Sequence, residues 1–247
     1  MFDKKGTEAQ TGQGQKYIVY NDLPYLPDGD ALQCLDFYIP DKKAPEGGWP
    51  LVVYAHPGGF TQGDKSDASR FAINALDHGF AMASVNYRLL GNNPESIAQE
   101  LADVQAAMDW LVDNAAELGI NTKQLAYAGV SAGGALTSAA AVRANNQNKP
   151  ELFGVISIIS PYDIPNTADY LDESDPPFFM VHGKMDSIVD FSQAERFTAA
   201  LDAMAIPYVL ETVGDIDNPV DHFDVLNVYK EQGKGDNPFI WLKGLLG

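Results

Sequence analysis

The sequence predicts an α/β fold with a mostly parallel central sheet, flanked by helices and begun by antiparallel strands. Two observations predict the parallel part. Short apolar strands alternate with helical segments, which implies crossover connections, and several of these strands are continuously apolar, as in strands buried on both faces. The third observation concerns the start of the chain, where strand-like residues 16–20 and 33–39 are joined by a loop rich in Pro, Asp and Gly.

The predicted elements follow one another regularly along the chain. Apolar residues at helical spacing between Ile97 and Leu118 predict the longest helix. Residues 1–15 are polar, and we expect a disordered leader there, while residues 145–150 are typical of a polar loop. The further predicted strands are 51–55, 80–85, 125–128, 153–159, 178–181 and 208–212, and the further predicted helices are 67–77, 135–142 and 191–204, with more helix at the end.

Length and charge narrow the classes of function. The 247 residues, 45% of them hydrophobic, suffice for one sizeable core without repeats, so we expect a single domain over 1–247. A net charge of −18 argues against nucleic acid or an anionic membrane as partner. No apolar run approaches the roughly 20 residues that span a bilayer. The polar N-terminus lacks a signal-peptide core, which predicts a cytoplasmic protein, or a secreted one if a signal peptide has been removed.

The strongest motif is Gly-Val-Ser-Ala-Gly at 129–133, which lies between a predicted strand and a helix of small residues. A tight strand-to-helix turn brings the two backbones together, so glycines are needed on both sides of the serine. Such a turn exposes the Ser131 hydroxyl, and the N–H of Ala132 then lies in the first helical turn, which favours a developing anion. The pattern predicts a nucleophilic serine.

Ligands of a parallel sheet gather at the carboxyl ends of its strands, so polar residues there are the other candidates. Gly58 and Gly59 follow the strand at 51–55, and their N–H groups predict either an oxyanion hole or a plain tight turn. Asp186 follows the strand at 178–181 and is favoured over its rival Asp163 as the carboxylate that orients a histidine.

Four histidines are candidates for the base. His56 precedes the loop that contains Gly58 and Gly59, called the glycine loop below. His78 lies at a helix end, and His182 comes before Asp186 in the chain. By elimination we favour His222, because it lies in a long loop after the last strand, from which an imidazole can reach Ser131.

The aspartates near His222 raise the question of a metal site. Asp215, Asp217 and Asp221 have the alternating spacing of a calcium loop, but the glycine at the sixth position and the glutamate at the twelfth are missing. We therefore expect a flexible acidic loop, no metal and no cofactor.

These motifs, in this order, resemble the α/β-hydrolase esterases, in particular the group related to hormone-sensitive lipase and to bacterial feruloyl and acetyl-xylan esterase-like proteins. The resemblance covers about residues 35–223. Its motifs are His-Pro-Gly-Gly-Phe at 56–60, Gly-Asp-Lys at 63–65, Val-Asn-Tyr-Arg-Leu at 85–89, Gly-Val-Ser-Ala-Gly-Gly at 129–134, and His-Gly-Lys-Met-Asp at 182–186. The first motif departs from the family's usual His-Gly-Gly-Gly at Pro57.

The resemblance implies an α/β-hydrolase fold with Ser131 as nucleophile, His222 as general base and Asp186 as its orienting acid. It further implies an oxyanion hole from Gly58, Gly59 and Ala132. We expect no large cap domain, because the N-terminal stretch is not long and helical enough to form one. The expected protein is a serine esterase, a carboxylic ester hydrolase that needs no cofactor.

The substrate is less well specified by the sequence. Phe60, Tyr87 and Tyr162 follow strands and either line the pocket, which would suit short acyl, aryl or sugar esters, or belong to the core. An amide or formamide hydrolase resembling arylformamidases would use the same residues, and a non-catalytic ligand-binding member of the fold is a further alternative. The partner expected is thus a small-molecule ester, and the sequence is compatible with a monomer or a homodimer.

Overall fold

A computed structural model describes residues 6–145 and 151–247. The described strands form one nine-stranded sheet, in the order β1-β2-β3-β5-β4-β6-β7-β8-β9. The strands are β1 (Thr7–Gln10), β2 (Lys16–Pro24), β3 (Cys34–Pro40), β4 (Trp49–Ala55), β5 (Ala81–Val85), β6 (Ile120–Val130), β7 (Leu152–Ile158), β8 (Phe178–Gly183) and β9 (Tyr208–Val213). β1, β2 and β3 are antiparallel, β3 is antiparallel to β5, and the remaining pairs are parallel.

The helices lie in the connections between the parallel strands or after the last strand. They are α1 (Ser69–Asp77), α2 (Pro94–Asp113), α3 (Ala115–Leu118), α4 (Ala132–Asn145), α5 (Ser192–Ala203), α6 (Val225–Glu231) and α7 (Asn237–Gly244). Each of them lies in a strand-to-strand connection or follows β9, so the described residues contain no separate cap. No helix in the described ranges combines the length and the apolar character needed to cross a membrane.

The centre of the sheet is covered on both faces, as its apolar strands predict. Every residue of β4 is buried, and its side chains alternate between two hydrophobic clusters. Leu51 and Val53 pack in the cluster that includes α2 and α4, whereas Val52 and Tyr54 pack in the cluster that includes α1 and α7. The fold predicted from the sequence, a mostly parallel sheet flanked by helices and begun by antiparallel strands, is confirmed.

Some details differ from the sequence prediction. Thr7–Gln10 pairs with β2, so the expectation of a disordered leader is wrong for these residues, while residues 1–5 lie outside the described ranges. The long helix ends at Asp113, and the separate turn α3 follows Asn114. Residues 146–150 of the predicted polar loop are also outside the described ranges.

Candidate active site

Ser131 occupies a sharp turn between β6 and α4. Its φ angle is +51°, in the left-handed region that a non-glycine residue seldom adopts. The turn is anchored at both sides: the Ser131 N–H donates to the Ile158 carbonyl at 2.8 Å, and the Ser131 carbonyl accepts from the Ala135 N–H at 3.0 Å. The strained backbone is therefore held by the end of β7 and by the first turn of α4.

The glycines beside Ser131 are required by close backbone approach. A Cβ added to Gly129 would lie 2.5 Å from the Gly133 carbonyl carbon. A Cβ added to Gly133 would overlap the Ala55 carbonyl oxygen at the end of β4. The reason inferred from the sequence, that strand and helix backbones meet around the serine, agrees with these distances.

Three side chains from separate loops form one hydrogen-bonded chain. The Nε2 atom of His222 lies 3.0 Å from the Ser131 Oγ, and its Nδ1 lies 2.7 Å from the Asp186 Oδ2. His222 and Asp186 are buried, with 5% and 7% of their surfaces exposed. The Nδ1–H donates to the carboxylate, since an ionised carboxylate only accepts, and Nε2 is then free to accept the Ser131 hydroxyl proton.

The carboxylate of Asp186 is held by its own loop. Its Oδ1 accepts the backbone N–H groups of Ile188 at 2.9 Å and Val189 at 2.8 Å. Burial acts to raise the pKa of Asp186, but the hydrogen bonds from His222, Val189 and Ile188 outweigh it and bring the pKa below its ordinary value. Asp186 is thus ionised at neutral pH and can stabilise a positive charge on His222.

The glycine loop after β4 approaches Ser131 from the other side. Gly58 has a φ of +141°, and a Cβ there would overlap the Gln62 carbonyl oxygen. Its own carbonyl accepts the N–H groups of Thr61 and Gln62, both at 3.1 Å. Gly58 and Gly59 line the same cavity as Ser131, and Ala132 begins α4, where N–H groups have no acceptor within the helix.

The cavity at Ser131 has a volume of about 640 Å³ and two chemically different walls. One wall is apolar and comes from Ile188, Phe223 and Leu226, of which Phe223 is 79% exposed. Thr61, Gln62 and Asp67 form a polar stretch on the glycine-loop side. Sequence reasoning missed the apolar wall, although a phenylalanine directly after the candidate base was a signal for it.

Comparison with known proteins places this chain in a family. The BD-FAE family model matches residues 35–164, slightly more than half of the chain. The chain belongs to the BD-FAE family. That match includes the glycine loop and the Ser131 turn, whereas Asp186 and His222 lie beyond it.

Two relatives of this BD-FAE chain come from Mycobacterium tuberculosis. Esterase LipI is 30% identical over 145 residues, which are 53% of this chain and 45% of LipI. Carboxylesterase NlhH is 37% identical over 104 residues, which are 42% of this chain and 32% of NlhH. The matched part is thus less than half of each relative's length.

A solved structure agrees with the fold over nearly the whole chain. A truncated form of a carbohydrate esterase from gut microbiota superposes with a TM-score of 0.75 at 17% identity. The superposition covers 92% of the BD-FAE chain and 96% of the solved one. At this identity the likeness shows the α/β-hydrolase fold, as the sequence predicts.

Three aromatic residues expected near the substrate pocket are core residues in this BD-FAE chain, so that expectation is corrected. Phe60, Tyr87 and Tyr162 are all buried, and none lines the cavity at Ser131. The Tyr87 hydroxyl donates to the His56 carbonyl at 2.9 Å, and the Tyr162 ring stacks on Phe197. All three residues belong to the hydrophobic cluster that includes α2 and α4.

The rival acid and two rival histidines have structural contacts. Asp163 is exposed and pairs with Arg196 at 2.5 Å. His56 donates from Nδ1 to the Pro57 carbonyl at 2.8 Å, and its ring stacks on Tyr87, so it braces the glycine loop. His182 donates from Nε2 to the Val189 carbonyl at 2.9 Å, and burial lowers its pKa.

The acidic loop of this BD-FAE chain, residues 214–221, hydrogen-bonds through its aspartate carboxylates. Asp215 Oδ1 accepts the N–H groups of Asp217 and Asn218, at 3.0 and 2.8 Å. Asp221 bonds instead to Ser187, in the loop that carries Asp186. Across the described ranges, no three His, Cys, Asp or Glu side chains are grouped as a metal site would require.

Proposed function

We propose that the protein is a serine carboxylesterase in which Ser131 is the nucleophile, His222 the general base and Asp186 the acid that orients it. One observation carries the proposal: the chain from Ser131 Oγ to His222 Nε2 (3.0 Å) and from His222 Nδ1 to Asp186 Oδ2 (2.7 Å). Both distances are within hydrogen-bond reach, so a proton can leave the serine as its oxygen attacks.

In the acylation step, Ser131 Oγ attacks the ester carbonyl carbon and its proton passes to His222 Nε2. The imidazolium is stabilised by the Asp186 carboxylate. It then gives the proton to the leaving alcohol oxygen as the carbon–oxygen bond of the ester breaks. An acyl-enzyme remains, and water, deprotonated by the same imidazole, releases the carboxylic acid and the free serine.

The oxyanion of each tetrahedral intermediate is assigned to the N–H groups of Gly58, Gly59 and Ala132. A Cβ added to Gly59 would meet no atom within 4 Å, and Ala132 contributes a first-turn N–H at the positive end of a 14-residue helix. Loss of one such donor typically costs about 100- to 1,000-fold in kcat. The glycine loop and α4 are thus proposed to act together on the developing charge.

The proposed substrates are esters with a short acyl group and an aryl or sugar alcohol. The apolar wall of Ile188, Phe223 and Leu226 offers contact area for an aryl or alkyl group. The polar stretch of Thr61, Gln62 and Asp67 offers hydrogen bonds to hydroxyl groups. The names of the relatives, two esterases and a carbohydrate esterase, support this substrate class.

The proposal is tested with Ser131→Ala and p-nitrophenyl acetate. We expect kcat to fall by more than about 1,000-fold, because the nucleophile is lost. The oxyanion hole and substrate binding leave only a residual rate. Ser66→Ala removes an exposed hydroxyl that does not line the cavity and serves as the control, with kcat within about 2-fold of wild type. Retention of most of the hydrolysis by Ser131→Ala would overturn the proposal.

The two alternative functions are separated by further measurements on the same protein. A panel of acyl lengths, acetylated sugars, feruloyl esters and aryl formamides distinguishes an esterase from a formamide hydrolase, and we expect higher kcat/KM on esters. A fluorophosphonate probe distinguishes both from a non-catalytic binding protein. We expect the probe to label wild type and not Ser131→Ala, because labelling requires an activated serine.

A further inference from the structure

The carboxylate of Asp221 connects the two loops that carry His222 and Asp186. Its Oδ1 accepts the backbone N–H of Ser187 at 2.8 Å and that of His222 at 2.8 Å. Its Oδ2 accepts the hydroxyl of Ser187 at 2.9 Å. Ser187 directly follows Asp186 and Asp221 directly precedes His222, so one side chain joins the chain neighbours of both residues.

The segment that carries His222 runs from Gly214 to Asp224, between β9 and α6. Val220 packs against the hydrophobic cluster that includes α1 and α7, whereas Ile216, Asp221 and Phe223 are exposed. Its other described hydrogen bonds are largely within the segment, such as those of Asp215 to Asp217 and Asn218. The Asp221 carboxylate adds bonds from this segment to Ser187, beside the bond of His222 to Asp186.

We propose that Asp221 is a positioning residue, which clamps the His222 loop to the Asp186 loop and so keeps the imidazole in line with Ser131. The inference rests on the proposed function of Ser131, His222 and Asp186. Asp221 does not line the cavity, so it acts through His222 and not on the substrate. An imidazole displaced by about 1 Å can cost about 100-fold in rate, which sets the scale of the effect.

The Asp221 carboxylate is charged at neutral pH. Hydrogen bonds from the Ser187 N–H, the His222 N–H and the Ser187 hydroxyl hold the pKa of Asp221 below its ordinary value. Hydrogen bonds to an ionised acceptor are stronger than those between neutral groups, which compensates for the exposure of this side chain. The three contacts therefore persist at neutral pH.

The experiment measures kcat and KM of Asp221→Ala with p-nitrophenyl acetate. We expect kcat to fall about 10- to 100-fold while KM changes less than about 3-fold, because the cavity is intact but the imidazole is displaced. Asp217→Ala is the matched control: it removes the same charge from the same loop, and the described hydrogen bond of Asp217 is made by its backbone N–H. Its kcat is expected to stay within about 2-fold of wild type.

Two further variants separate positioning from general stability. Asp221→Asn keeps an oxygen acceptor for the two N–H groups and should recover part of the lost kcat. Ser187→Ala alone should lower kcat by less than Asp221→Ala does. Added to Asp221→Ala, it should lower kcat no further, since both changes remove the same contact. The same order of variants is expected in the rate of fluorophosphonate labelling.

The proposal is overturned if Asp221→Ala keeps wild-type kcat at 25 °C, even if its urea midpoint falls, because that pattern means a structural role only. It is also overturned if Asp217→Ala lowers kcat as much as Asp221→Ala, which would point to loop charge. Failure of the proposed function is distinguishable from both, because Ser131→Ala would then remain active and wild type would not be labelled.

Discussion

Asp186 and Asp163 both follow strands of the parallel sheet, yet their surroundings differ in a way that favours Asp186 as the proposed orienting acid. Asp186 is buried, accepts two backbone N–H groups and bonds to His222. Asp163 is exposed and bonds to Arg196 at the surface. We therefore predict that Asp186→Asn lowers kcat for p-nitrophenyl acetate by about 10,000-fold, because an amide at this position favours the wrong histidine tautomer.

The control for this prediction is Asp163→Asn, which removes the same charge after the neighbouring strand. Its kcat should remain within about 2-fold of wild type, since an exposed ion pair contributes little and lies away from the cavity. Urea unfolding of both variants shows whether they are folded. Equal losses of kcat in the two variants would contradict the role proposed for Asp186.

At the residue scale, the sequence is most informative where backbone geometry dictates the amino acid. Gly129 and Gly133 are required by a close approach that any motif of this kind shares, so the Ser131 turn could be predicted locally. The direction of Tyr87 or Tyr162 could not, because the position after a strand does not say whether a ring points to the cavity or to the core. Contacts between distant segments, such as Asp221 to Ser187, leave no local pattern either.

At the element scale, α2 is joined to the glycine loop through Glu100. Glu100 is buried, and its Oε1 accepts the Leu90 N–H at 2.8 Å. The next residue, Gly91, donates its N–H to the Phe60 carbonyl at 3.0 Å. Burial raises the pKa of Glu100 to about 7, with a smaller contribution from Asp103.

This raised pKa predicts a pH-dependent stability. Between about pH 4.5 and pH 7 the unfolded chain releases the Glu100 proton while the folded protein retains it. The free energy of unfolding therefore falls as pH rises through this window, by an amount on the order of 3 kcal/mol at most. Glu100→Gln cannot ionise, so its stability relative to wild type should improve from pH 4.5 to pH 8.

Urea unfolding of wild type and Glu100→Gln at pH 4.5, 6 and 8 measures this effect. Glu95→Gln changes an exposed glutamate of the same helix and should follow the wild-type profile. A constant stability difference between Glu100→Gln and wild type over this range would contradict the prediction, because it would mean that Glu100 titrates alike in the folded and unfolded chain.

Element boundaries were predicted well where burial is strong and poorly where it is weak. β4 and β5 are fully buried, and their apolar runs identify them. β1 is a four-residue, mostly exposed edge strand, and only its backbone pairing to β2 makes it a strand, so its polar sequence gave no signal. The break after Asp113 is also invisible in the pattern, since apolar spacing continues across Asn114.

At the scale of the whole molecule, charge acts in two different ways. Some ion pairs are buried or half-buried. Arg88 with Asp103 at 2.8 Å joins the loop after β5 to α2, and Lys65 with Asp36 at 3.1 Å joins the segment after β4 to β3. The surface carries the remaining imbalance, because 34 acidic residues face only 16 basic ones. Salt screens exposed charges far more than buried pairs, so salt can remove the repulsion among the excess surface carboxylates.

We therefore predict that the melting temperature rises when NaCl is increased from 0.05 to 1 M, since the Debye length shortens from more than 10 Å to about 3 Å. Each kcal/mol of repulsion removed should raise the melting temperature by about 2–4 °C for a chain of this size. KCl should act like NaCl, because screening depends on ionic strength and not on the cation. Hydrolysis of p-nitrophenyl acetate, a neutral substrate, should persist in 1 M salt. Collapse of activity in salt would contradict the expectation for hydrolysis. A melting temperature that falls with salt would show that self-repulsion does not limit the stability of this acidic protein.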